Sequence, residues 1–229
     1  RRSPARRSSI SIRRSPAAPA GDGMTSPGAP DVFYPIVPSA AWVARLVPLG
    51  VRALQLRIKD LAEDAVRREI AEARSVAKAG GCRLIVNDYW QAAIDLGATE
   101  LHLGQEDLAG ADVAAIRRAG IALGISTHSE EELETALAAD PYYVALGPIY
   151  ETKLKVMKWA PQGLDRIGAW RKRIGSRPLV AIGGITPERA GPVIAAGADS
   201  VAVITDFMTS PHPEARVRLW LDWAATVRA

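Results

Sequence analysis

The sequence predicts a (β/α)8 TIM barrel, and three observations carry that prediction. Short β-branched or apolar runs recur eight times between residues 31 and 204. Helix-length stretches with apolar residues three or four apart separate them, and no segment is left over. Glycines at Gly80-Gly81, Gly97, Gly120 and Gly197 fall where the helices should end, as left-handed caps do. An open doubly wound sheet is the alternative, but it has no need of eight near-equal units.

The strand-like runs are Val32–Val37, Ala53–Ile58, Arg83–Val86, Glu100–Leu103, Ala122–Ser126, Tyr142–Leu146, Leu179–Ile182 and Ser200–Ile204. Helical spacing appears in Tyr89–Gly97, Ala65–Ala79, Ala111–Ala119, Ser129–Ala139, Leu164–Arg173, Pro187–Ala196 and, after the last strand, Pro213–Val227. The 229 residues suffice for one large core, so residues 31–229 are expected to form a single catalytic barrel domain. No apolar run approaches the eighteen or so residues a membrane helix needs. A single cysteine, Cys82, rules out an intramolecular disulfide and a Cys-rich metal site, which makes a reducing, cytoplasmic setting the expectation.

Residues 1–30 stand apart. They are rich in Arg, Ser, Pro, Gly and Ala, with too few bulky apolar side chains to offset ordering entropy, so disorder is expected. Six arginines (Arg1, Arg2, Arg6, Arg7, Arg13, Arg14) against Asp22 give residues 1–23 a charge of +5. The whole chain is +4, leaving −1 for residues 24–229. The barrel is thus no general polyanion binder, and nucleic acid is not its expected partner. A transit peptide or a nucleic-acid-binding arm would suit such a leader. An upstream extension ahead of Met24 is the simpler reading.

In a barrel of this kind the chemistry sits at the C-terminal strand ends. In the second strand Leu54, Leu56 and Ile58 alternate with Gln55, Arg57 and Lys59. Parallel barrel strands have no wet face, so the apolar set packs on helices and the polar set points inward. Inward cations near the mouth call for an anionic partner, either nearby aspartates or a bound diphosphate. Asn87-Asp88 ends the third strand and Gln105-Glu106-Asp107 follows the fourth. Neighbouring strands run about 4.8 Å apart, so carboxylates at matching ends reach one shared ion. Two carboxylates with open positions suit Mg2+ that is also held by substrate phosphates. Turn initiation or helix capping is the bland alternative for both residues.

Ser126 and His128 follow the fifth strand; the first could donate to a phosphate oxygen and the second could act as an acid–base group. His102, His128 and His212 lack metal-ligand spacing, and His102 reads as a hydrogen-bonded interior residue. The 147–163 loop after the sixth strand has the length of a mobile cover and carries Lys153, Lys155 and Lys158. Gly183-Gly184 after the seventh strand and Ile204-Thr205 after the eighth match the phosphate site common in this fold, with bare N–H groups at Gly184 and Thr205.

Taken together, QLRIKD (55–60), VND (86–88), HLGQEDL (102–108), LGISTH (123–128), GPIY with the later APQG, and VAIGGI (180–185) resemble the thiamine-phosphate synthase family from about Phe33 to Asp206. The resemblance implies condensation of a hydroxymethylpyrimidine diphosphate with a thiazole phosphate, or its carboxylated form, giving thiamine phosphate and diphosphate. It implies that Gln55, Arg57, Lys59, Asn87, Ser126 and Lys155 hold the pyrimidine diphosphate. Asp88 and Asp107 would bind Mg2+, while Thr152, Gly184, Ile204 and Thr205 would hold the thiazole phosphate. Arg57, Lys59, Ser126 and Lys155 would be the catalytic set. A dissociative displacement of this sort needs charge stabilisation more than a nucleophile, which accounts for the missing Ser–His–Asp triad.

The partners expected are small-molecule substrates without a membrane; a homo-oligomer stays open. A related thiazole tautomerase, using His128, and a non-catalytic phosphate-binding barrel are the alternatives. Departures from the family pattern gather on the thiazole side. Leu154 stands where a hydroxyl is frequent, Glu151 where proline is frequent, and Asp206 sets a negative charge beside the expected phosphate site.

Overall fold

A computed structural model describes residues 28–152 and 159–228. The expectations for Lys153, Leu154, Lys155 and Lys158, and for residues 1–27 of the leader, lie outside these residues.

Eight parallel strands close into a barrel: β1 Phe33–Val37, β2 Ala53–Leu56, β3 Arg83–Asn87, β4 Glu100–Leu103, β5 Ala122–Thr127, β6 Tyr143–Leu146, β7 Leu179–Ile182 and β8 Ser200–Val203. Each pairs with its sequence neighbours, and β8 returns to β1 with Tyr34 opposite Ala202. In chain order the helices are α1 Ala40–Leu46, α2 Glu63–Ala79, α3 Trp90–Asp95, α4 Gln105–Ala109, α5 Val113–Arg118, α6 Glu130–Ala138, α7 Gly163–Ile174, α8 Pro187–Ala195, α9 Thr205–Met208 and α10 Pro213–Arg228, with a 3-10 turn at Val47–Leu49. Among the described residues no helix is long and apolar enough to cross a membrane.

Period-2 alternation divides the strand side chains into two layers. Phe33, Val37, Leu54, Leu56, Val86, Leu101 and Val201 face outward onto the helices. Tyr34, Ile36, Ala53, Ile85, Tyr143, Ala145, Val180 and Ala202 fill the barrel interior. The helices answer with stripes of their own. In α2, Val66, Ile70, Ala73 and Ala77 recur every three or four residues and are buried, and each of the two larger side chains contributes roughly 1.5–3 kcal/mol. In α10, Trp220 stacks on Phe33 with ring centroids 5.1 Å apart. That contact closes the ring of helices over the β1–β8 seam.

The strand bounds shift by a residue or two from those expected. β2 ends at Leu56, although the Arg57 N–H still donates to the Val37 carbonyl at 2.8 Å. Arg57 and Lys59 therefore stand just above the last rung, at the mouth. Gly81, Gly97, Gly120 and Gly197 have positive φ at the helix ends, whereas Gly80 does not. Gly124 matters for a different reason: a Cβ there would lie 2.1 Å from the Tyr143 ring, so only glycine lets that phenol enter the barrel. Residues 28–30 lie against the N-terminal rim, where Arg83 donates to the carbonyls of Ala29 and Gly28 at 2.9 and 3.1 Å.

Candidate active site

The C-terminal strand ends converge on a cavity of about 100 Å3 lined by Gln55, Arg57, Asn87, Ser126 and Ile204 together with Tyr34, His102 and Tyr143. Five of the residues singled out from sequence thus meet in one place. A larger cleft of about 660 Å3 lies at the opposite rim, lined by Ile121, Tyr142 and Arg177 among others. Arg177 there is already engaged, by Asp140 at 2.7 Å and the Pro141 carbonyl at 2.5 Å. That rim is where a barrel keeps its structural contacts rather than its chemistry.

At the cavity edge Lys59 Nζ donates to Asp88 Oδ2 at 2.8 Å. Asp88 follows β3 in the left-handed conformation, φ 69°, a turn that aspartate tolerates better than most residues. Asp107 arrives in the first turn of α4, beyond β4. Its carboxyl is pushed above the usual carboxylate range, first by burial, then by the charge and hydrogen bonding of Asp88, with Lys59 opposing. The two acids, at adjacent strand ends, are thus near enough for the charge of Asp88 to act on Asp107. Among the described residues no group of three or more His, Cys, Asp or Glu could hold a metal ion. The donor set is two carboxylates whose mutual repulsion a divalent cation would relieve. It fits Mg2+, whose remaining positions go to water and substrate phosphate.

The cations divide their work. Lys59 is half exposed and paired with Asp88. Arg57 is exposed at the mouth, not buried, and no carboxylate partners it among the described residues. Asn87 is 4% exposed, and its Nδ2 has no acceptor among the described residues. A buried amide N–H left without a partner costs about 1–3 kcal/mol. An oxygen acceptor on a ligand at this place would remove that cost.

Beneath the cavity runs a chain of polar side chains in which Tyr34 and Tyr143, not singled out from the sequence, join Gln55, His102 and Ser126. Gln55 Nε2 donates to the Tyr34 hydroxyl at 3.1 Å, and Tyr34 and Tyr143 hydroxyls lie 3.2 Å apart. His102 Nδ1 is 2.6 Å from the Tyr143 hydroxyl, and its Nε2 is 2.7 Å from Ser126 Oγ. Burial raises the pKa of both phenols and lowers that of His102 to about 4. All three are neutral at ordinary pH. Ser126 is also held through its backbone, with Gln105 Nε2 donating to its carbonyl at 2.7 Å. Further down, Glu100 accepts from Arg83 at 2.7 and 2.9 Å and from the Tyr142 hydroxyl at 2.7 Å, so its buried charge is matched.

The depressed His102 pKa makes stability acid-sensitive over a defined window. Between pH 6.5 and about 4 the unfolded chain takes up a proton that the folded chain refuses, so stability falls as pH falls and levels off below about 4. The stability advantage of the native chain over His102→Gln is expected to shrink by about 2–3 kcal/mol between pH 7 and pH 4.5 in denaturant titrations. A gap that stays constant with pH would contradict this.

On the opposite side of the mouth, the glycine turn after β7 has φ 105° at Gly183 and 64° at Gly184. A Cβ on Gly184 would sit 2.3 Å from the Glu151 carbonyl oxygen, so the turn is glycine-only on two counts. The Tyr150 N–H donates to the Gly183 carbonyl at 3.0 Å, tying the start of the long loop to this turn. Thr205 begins the one-turn helix α9, where the first N–H groups have no intrahelical acceptor. Asp206, suspected from sequence of repelling a phosphate here, is instead paired with side chains of α10. Its carboxylate accepts from Arg216 at 2.8 and 2.9 Å and from the Trp220 indole at 2.8 Å. Thr152 is the last described residue before the gap.

His128 is not brought into the cavity. Its Nδ1 lies 2.8 Å from Glu132 Oε2, which also accepts the His128 N–H at 2.7 Å, and its ring stacks on Trp159. That is a helix-start arrangement, leaving the acid–base group of the tautomerase alternative committed elsewhere.

A family model described as thiamine monophosphate synthase matches residues 33–207. The thiamine-phosphate synthase of Rhizobium etli is 61% identical over 199 residues, spanning 87% of this chain and 98% of that protein. The thiamine-phosphate synthase of Neisseria meningitidis serogroup B is 45% identical over 186 residues, 81% of this chain and 91% of the relative. Among solved structures, the thiamine phosphate pyrophosphorylase from Pyrococcus furiosus superposes with a TM-score of 0.74 at 23% identity, covering 87% of this chain and 98% of its own.

Proposed function

The chain belongs to the thiamine monophosphate synthase family, and from that premise we propose how its barrel mouth joins a pyrimidine diphosphate to a thiazole phosphate. It is a transferase of thiamine biosynthesis that makes thiamine phosphate. The observation that supports the division of labour is the placing of Asp88, bonded to Lys59, and Asp107 at adjacent strand ends beside the lined cavity.

The enclosed cavity of about 100 Å3 is smaller than the ~300–1,000 Å3 typical of a whole ligand pocket, so it takes the pyrimidine ring alone. Gln55 and Ser126 offer polar groups to that ring or the first phosphate. Asn87 Nδ2 donates to the oxygen it lacks. The diphosphate then points out of the mouth, where Arg57 and Lys59 meet it; Lys155, from the loop, is proposed to join them. Asp88 and Asp107 would hold Mg2+, which when bound neutralises charge on the departing diphosphate as a Lewis acid. Gly184, Ile204 and Thr205, with Thr152, would hold the thiazole phosphate through backbone N–H groups and a hydroxyl. With Asp206 paired to Arg216, no bare negative charge opposes that placement.

The protein does not have to form a covalent bond. Its residues orient the CH2 carbon toward the thiazole nitrogen and stabilise leaving negative charge, the two contributions that such a displacement needs. A reducing, cytoplasmic setting fits a chain whose one cysteine, Cys82, is buried with its thiol pushed up to about 12. The direct test mixes the purified chain with both substrates, with and without Mg2+, and follows thiamine phosphate by chromatography. Product that appears only with Mg2+ is expected. Equal product after exhaustive chelation would overturn the metal assignment, and no product under either condition would overturn the reaction.

A further inference from the structure

We propose that a one-way hydrogen-bond chain, Gln55 to Tyr34 to Tyr143 to His102, fixes Ser126 as a hydrogen donor toward the substrate. The inference rests on the reading that Ser126 touches the pyrimidine diphosphate, and it adds which way the hydroxyl points and what sets it.

The direction follows from counting protons. The Gln55 amide nitrogen can only donate, so the Tyr34 oxygen accepts from it. Tyr34 is fully buried and has one other partner, the Tyr143 hydroxyl at 3.2 Å. Its single proton must go there or be left buried and unpaired. Tyr143, having accepted, gives its own proton to His102 Nδ1 at 2.6 Å. With Nδ1 accepting, the ring proton is on Nε2, and that N–H donates to Ser126 Oγ at 2.7 Å. Ser126 has now accepted inside the protein, and its proton is left for the cavity it lines.

The reversed chain would need the Gln55 carbonyl turned to Tyr34, and every link would then run backward. Ser126 would give its proton to His102 and show only lone pairs to the ligand. The two orders select opposite atoms on the substrate. A donating Ser126 pairs with a ring nitrogen or a diphosphate oxygen, and an accepting one pairs with the exocyclic amino group. Tyr34, Tyr143 and His102 are positioning residues in this scheme, acting through Ser126.

The tautomer of His102 decides between them. Two-bond 1H–15N spectra of the full chain with 15N-labelled histidine show three rings, and His102→Gln identifies the one that vanishes. At pH 7.5 His102 is expected as the Nε2–H form; the Nδ1–H form overturns the proposal. A kinetic cycle separates this from the underlying reading. Tyr143→Phe, which keeps the ring, is expected to lower kcat by about tenfold, the scale of one hydrogen bond, and to lower it no further in a Ser126→Ala background. Full additivity with Ser126→Ala would overturn the orienting role. Full activity in Ser126→Ala alone would instead overturn the placing of Ser126 on the substrate. Thermal unfolding of each variant accompanies the kinetics, and a loss of kcat in a chain that melts normally is what the scheme requires.

Discussion

Asp88→Asn is expected to slow thiamine phosphate formation by about a hundred- to a thousandfold at fixed Mg2+, the scale seen when one preorganised electrostatic group is removed from a reacting site. Asparagine is the informative replacement because Asp88 sits at φ 69°, which Asn adopts readily and Ala does not. The alanine variant would add about 1–2 kcal/mol of backbone strain to the loss of charge and blur the result. With Asn the shape and the turn survive, and only the negative charge goes. Two further consequences follow from the geometry. Lys59 loses the charge of its 2.8 Å partner and keeps at most a neutral amide oxygen to donate to. Asp107, held up by burial and by the neighbouring charge, relaxes part of the way toward the ordinary carboxylate range, since only the second cause has been removed. Carbon-13 titration of the Asp107 carboxyl reads that relaxation without any turnover. Rates of product formation across a Mg2+ series supply the first readout, and a near-normal rate at low Mg2+ would contradict the shared-ion role.

The elements that were legible in the sequence are those whose signal is local and periodic. Gln55 declared itself because a barrel strand has no solvent face to absorb an alternating polar set. Arg57 and Lys59 continue the alternation past the end of β2 and are exposed at the mouth instead of buried inside it. Asn87-Asp88 and Asp107 were legible because each follows an apolar run at a matching distance. Where the signal is short or non-local, the reading failed or was silent. The helices α4 and α9, of five and four residues, are too brief to show a 3.6-residue period, so Asp107 read only as following the fourth strand, without the helical first turn in which it lies. Asp206 looked like a liability beside Thr205. Its neutralisation comes from Arg216 and Trp220, one face of a helix ten to fourteen residues on. Tyr34 and Tyr143 lie inside strand runs and drew no separate reading. What makes them polar partners is a contact across 109 positions of sequence, permitted by the missing side chain at Gly124. The one signal that could have exposed them is that glycine, an unusual choice in the middle of a strand.

Arg57→Ala is the second large effect, and its logic differs from that of Asp88. Asp88 has a protein partner in the free chain; Arg57 has none among the described residues, although it lines the cavity and stands above the last rung of β2. An exposed, unpaired guanidinium contributes little to folding, so removing it should leave the unfolding temperature within the range of neutral surface changes. On the proposed reading it would contribute a planar fork matched to two phosphate oxygens, where the leaving charge would accumulate. A loss of about two to three orders of magnitude in kcat/KM is therefore expected, together with weaker inhibition by free diphosphate. Arg57→Lys keeps the charge but not the fork, and is expected to recover only part of the rate. If Arg57→Ala melts normally and yet binds diphosphate as tightly as the native chain, the leaving group does not lie over β2, and the orientation of the whole pyrimidine substrate in the mouth is wrong.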